Sequence, residues 1–121
     1  MFRQYIITGM MLFALISVSR SSIIHVPDDY STIQEAILAS TDGDEILLAD
    51  IVFHGEGNYN IDFAGKAVTV RSQSGNPEAC IIDIQGQYNG ISQRGFTLWS
   101  GEDTTSVIRD ISIINGVADG P

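Results

Sequence analysis

A chain of 121 residues has room for one domain, near the lower end of the size that builds its own core. Six Lys and Arg against fifteen Asp and Glu leave a net charge of −9, so there is no basic surface for nucleic acid or for an anionic membrane. The plain reading of that acidity is a soluble, self-repelling surface.

Residues 1–19 have the anatomy of a secretory signal peptide. Arg3 precedes an uncharged apolar run from Tyr5 to Val18, and Ser17 and Ser19 stand at the −3 and −1 places of a cleavage after Ser19. The run is shorter than the ~20 residues of a membrane span, so no stable span is expected after cleavage; an uncleaved signal anchor is the alternative. The expected location is secreted or extracytoplasmic. Cys80 is the single cysteine and has no intrachain partner. It alternates with Ile82 and Ile84 and reads as a small buried apolar residue.

Residues 20–44 read as a short strand, "IIHV", followed by a helix. Ser31 and Gln34 have the S-x-x-Q spacing of a capping box. Ile33, Ala36 and Ile37 then share one face, which predicts a helix from Thr32 to Ser40 that stops at "TDGD". From Glu45 to Pro121 the pattern is two-fold. "EILLAD", "NIDF", "AVTVRS", "CIIDIQ", "FTLWS", "SVI" and "DISII" are short, apolar-alternating strands separated by turn material. No intervening segment suits a crossover helix, and the Asn-Gly pairs at 89–90 and 115–116 are too few to make every connection a hairpin. "NIDFAGKAVTV" and "TSVIRDISII" look alike, and Ile46 and Val68 stand one solenoid period apart. The expected architecture is all-β, a parallel solenoid in which "GKAVTVRS" pairs with counterparts above and below it, Val68 and Val70 inward, Thr69 and Arg71 outward. A small β-sandwich, with antiparallel hairpins and two sheet faces, is the competing fold.

The stretch from "IHVPDDYSTIQEAI" through "GDEILLAD" and "GKAVTVRS" resembles the start of secreted right-handed parallel β-helix proteins of the pectin lyase-like superfamily. "CIIDIQG", "SGED" and "DISIING" resemble later pieces of the same proteins. The resemblance implies a right-handed parallel β-helix whose open end is capped by the helix at 32–40, with residues 45–121 as its first coils, truncated after the third. It makes Asn115 a turn asparagine of the kind such coils stack in ladders; a hairpin-type Asn-Gly turn is the alternative. Asp110 stands where relatives usually have glycine. One scaffold hosts many functions.

Lyases and esterases of this fold gather carboxylates and an arginine on one face. By residue type the candidates are Asp62, Asp83, Asp110, Arg71 and Arg109, but none lies in a catalytic motif of either enzyme. Asp83 and Arg71 are the outward residues that could face a groove. Trp99 either stacks on sugar rings or packs under the adjacent loop, the second being favoured. "DGDE" at 42–45 lacks the remaining ligands of a calcium loop and reads as a tight turn. No cofactor is expected, and support for Ca²⁺ is lacking. The expected function is therefore a secreted, non-catalytic β-helix segment that binds a polysaccharide or a cell-surface component. The alternative is the N-terminal part of a pectate lyase-like or pectin esterase-like enzyme whose catalytic coils lie beyond Pro121.

Overall fold

The computed structural model describes residues 20–117, so the expected signal segment lies outside the described residues. The fold is mostly β, with one short helix and several parallel sheets. Strands β1 (Ile23–Val26), β2 (Glu45–Leu48), β5 (Thr69–Ser72) and β10 (Val107–Arg109) form a four-stranded parallel sheet in that order. Strands β3 (Val52–Phe53), β6 (Ile81–Asp83) and β11 (Ser112–Ile114) form a second parallel sheet, and β4 (Ile61–Asp62) pairs in parallel with β9 (Phe96–Thr97). From β2 onward the chain visits the three ladders in a fixed cyclic order. Among the described residues the one antiparallel pair is a hairpin, β7 (Gln87–Tyr88) and β8 (Ile91–Ser92), turning through Asn89 and Gly90 at φ 52° and 76°, as a two-residue hairpin turn requires. Parallel ladders thus stand where a sandwich would have antiparallel ones.

The expected alternation in "GKAVTVRS" holds. Val68 and Val70 are buried, Thr69 and Arg71 half-buried, and β5 pairs in parallel with β2 on one side and β10 on the other. The period differs from the expected one: Ile46 lies opposite Val70, not Val68. The two look-alike pieces also occupy different places, since the first joins β4 to β5 and the second joins β10 to β11. Inward side chains stack into columns, such as Ile46 on Val70, and Phe53 on Ile82. Phe63 meets the Phe96 ring edge-on at 5.9 Å between centroids. Cys80, Ile82 and Ile84 are all inward and buried, as expected. Burial, with the nearby Asp50 charge adding to it, pushes the Cys80 thiol up to about 11. A thiol reagent at mildly alkaline pH should therefore label Cys80 only at the rate of unfolding. Fast labelling of the native protein would contradict its burial.

Helix α1 (Ile33–Ala39) lies within the expected span. Its capping box is made by Thr32 and Glu35 rather than by Ser31 and Gln34, a shift of one residue. Thr32 Oγ1 accepts from the Glu35 amide at 3.2 Å, and Glu35 accepts from the Thr32 amide and the Ser31 hydroxyl. Those two donors, the Ser31 hydroxyl first, hold the Glu35 carboxyl below its usual range. Gln34 is instead committed elsewhere: its side-chain amide exchanges two hydrogen bonds with the backbone of Asp62, at 2.7 and 3.0 Å, as a neighbouring strand would. The remaining helix-start amides, of Ile33 and Gln34, donate to Asn58 Oδ1 and to the Gly57 carbonyl. Gly57 is held here at φ 86°, and a Cβ on it would sit 2.8 Å from Thr32 side-chain atoms. At the other end Lys66 Nζ donates to the carbonyls of Ile37, Leu38 and Ser40 at 2.6–2.8 Å. The helix is thereby fastened over one end of the core through Ile33, Ala36 and Ile37. Among the described residues no helix is long and apolar enough to cross a membrane.

"DGDE" is a tight turn, as expected. Asp44 is buried, with its two carboxylate oxygens accepting from the amides of Ser22 and Thr41, both at 2.8 Å. These bonds, Thr41 foremost, hold its carboxyl below the ordinary 3.8. A depressed folded pKa means that the stabilisation is complete above the unfolded value and is lost as pH falls through the folded one. Asp44→Asn should lower stability by about 1–2 kcal/mol at neutral pH. In acid the two proteins should converge, and a deficit independent of pH would contradict this role for the charge.

Candidate functional site

The structure distributes the residues singled out in the sequence over three separate sheets. Arg71 and Arg109 lie side by side on the four-stranded sheet, opposite one another in register. Both are engaged. Arg71 pairs with Glu45 and donates to the Ser72 carbonyl, while Arg109 bonds Asp110 at 2.6 Å and reaches Glu45 at 3.9 Å. Asp110 takes φ 59°, a left-handed conformation that favours glycine, and its short polar side chain tolerates it.

Asp83 belongs to the β3–β6–β11 sheet, away from Arg71. It accepts from Asn115 Nδ2 at 2.8 Å and from the Gln85 amide at 3.0 Å, and these bonds, Asn115 first, hold its carboxyl low. Asn115, just after β11, thus bonds side chain to side chain with the last residue of the neighbouring strand β6. Its φ of 56° is turn-like, but no hairpin pairs across Asn115 and Gly116 among the described residues. Among those residues, no three His, Cys, Asp or Glu side chains converge as a metal site.

Trp99 departs from the favoured expectation. It does not pack under a loop: it is 75% exposed, just beyond β9, on the outer face of the β4–β9 ladder. Phe96 and Thr97 are both half-buried, and Leu98 and Trp99 beyond them are both exposed. Asp62 and Thr97 are opposite one another in register and, with Asn60, Arg94 and Ile91, line a shallow depression beside the indole. Asn60, held at φ 50°, sets the position of Arg94 by accepting its amide at 2.8 Å and donating its own amide to the Arg94 carbonyl at 2.6 Å. Among the described residues the Arg94 guanidinium has neither an ion pair nor a hydrogen bond. Asp62 uses one oxygen to accept the Ala64 amide at 2.8 Å and forms no ion pair among the described residues. The β7–β8 hairpin rises beside this face with Tyr88 and Ile91 exposed. A second depression, lined by Tyr88, Tyr59, Gln34 and Glu56, shares Asn60 and Ile91 with the first and lies next to it.

Of this face, sequence reasoning named Trp99 and Asp62 but missed Arg94, Asn60, Tyr88 and Ile91. The hairpin carried a readable signal in Asn89-Gly90. The meeting of Asn60 with Arg94, 34 residues apart, carried none, because it depends on which strand stacks on β4. No family model, curated protein or solved structure matches the chain.

Proposed function

We propose that the chain is a segment of a right-handed parallel β-helix of the pectin lyase-like kind, exported from the cell and acting by binding rather than catalysis. The cyclic order of the three parallel ladders and the helix fastened over one end support the β-helix reading. The signal-like start of the sequence supports export. The ligand class is a polysaccharide, and one observation carries that choice: an exposed indole lies beside an uncommitted guanidinium and a half-committed carboxylate on a sheet face. An aromatic ring offers a flat apolar platform for the C–H face of a sugar, while the flanking polar groups exchange hydrogen bonds with its hydroxyls. The arginines suited to catalysis, Arg71 and Arg109, are already neutralised by Glu45 and Asp110.

Affinity electrophoresis through gels containing soluble polysaccharides tests this reading. The protein should be retarded by at least one of them, and Trp99→Ala should migrate freely while keeping its circular dichroism spectrum. Equal retardation of both proteins would remove Trp99 from the site, and the reading with it.

A further inference from the structure

We infer that the groove along Trp99, Ile91 and Tyr88 takes a neutral glycan built of sugars with equatorial hydroxyls, in preference to an acidic one. This rests on the polysaccharide-binding reading above and concerns the ligand of the same face. Charge makes the first part of the case. The groove carries one uncommitted cation, Arg94, against two carboxylates, Asp62 and Glu56. The protein around it has a net charge of −9. A polyuronate would bring one further negative charge per sugar into that field, and repulsion acts over a Debye length of about 8 Å at physiological salt.

Hydrogen-bond inventory makes the second part. Asp62 has a carboxylate oxygen left after serving the Ala64 amide, and an ionised carboxylate only accepts. A sugar hydroxyl can donate to that oxygen, whereas a uronate carboxylate brought against it could only repel it. Arg94 only donates, and hydroxyl oxygens accept. A pair of sugar hydroxyls satisfies both residues at once. The third part is the indole. Its face carries negative quadrupole density, which attracts the C–H bonds on the flat side of an all-equatorial sugar and disfavours a carboxylate. The shared Asn60 and Ile91 put the two depressions next to one another, so that neighbouring sugars of one chain can occupy both.

Trp99 is the single tryptophan of the chain, so intrinsic fluorescence reads this site alone. Titration of the full chain with cellohexaose should give a saturable change that high salt does not weaken. Hexagalacturonate should give none at the same concentrations. Asp62→Asn should bind cellohexaose about tenfold more weakly, with its fold unchanged. Tighter, salt-sensitive binding of hexagalacturonate would overturn the neutral class while leaving the polysaccharide reading intact. Silence with both oligosaccharides would also overturn the class assignment. The broader reading falls if gel retardation is absent too, or if Trp99→Ala is retarded equally.

Discussion

Val70→Asp unfolds the protein at neutral pH, whereas Thr69→Lys, one residue away, changes its stability by less than about 0.5 kcal/mol. Val70 sits in the middle of an inward column, between Ile46 on β2 and Ile108 on β10, and it is fully buried. Replacing it removes about 1.5–3 kcal/mol of side-chain burial. It also leaves a carboxylate with no partner inside the core, a penalty of several kcal/mol more. The sum approaches the whole stability of a domain this small, about 5–15 kcal/mol. Thr69 points outward and lies opposite Glu45, so a lysine there gains a neighbour of opposite charge. Circular dichroism with urea titration checks both variants. A folded, cooperative Val70→Asp protein with an unchanged midpoint would mean that the strand faces the other way.

Lys66→Met should lower stability by about 2–3 kcal/mol. The α1 sequence has no basic residue in its last turn, so its terminal carbonyls depend on a cation from elsewhere in the chain. Lys66 supplies three charge-assisted bonds to them, from the segment leading into β5. A hydrogen bond to a charged group contributes about 1.5–3 kcal/mol net, and a cation at a helix C-terminus adds a fraction of that. Methionine keeps the aliphatic stem and removes only the ammonium. The urea midpoint should fall with an unchanged slope, showing a loss of stability rather than a change in the surface exposed. A shift below about 0.5 kcal/mol would mean that the helix is held by its apolar face alone.

What was legible in the sequence was what depends on parity and local chemistry. Val68 and Val70 against Thr69 and Arg71 set the faces of β5, and Ile33, Ala36 and Ile37 set the face of α1. Register was not legible, because a shift of two residues keeps every side chain on its own face. Ile46 opposite Val68 and Ile46 opposite Val70 satisfy the same pattern. The capping box failed for a related reason. The doublets Ser31-Thr32 and Gln34-Glu35 allow the motif in two registers, and the choice falls to a distant contact, the bonds that commit Gln34 to the backbone of Asp62.

The candidate site was less legible than the fold. Trp99 was expected to pack under the adjacent loop, but it stands exposed just beyond β9, which ends at Thr97. Arg94 and Asn60 sit in turns, where residue type says little about neighbours. They meet only because β4 stacks on β9. Asp83 and Arg71 both face outward, as their alternation predicts, yet from different sheets. Periodicity gives the face of a strand but not which sheet the strand joins.

The measurement that bears most directly on this account is a NOESY spectrum of the isotope-labelled protein, assigned across residues 44–48, 69–72 and 107–109. Stacked parallel layers predict cross-strand contacts between amide and α protons linking Ile46 with Val70 and Val70 with Ile108, without close pairs of facing α protons. Strong contacts between facing α protons across these strands would mark antiparallel pairing, and would contradict both the stack and the outer face that carries Trp99.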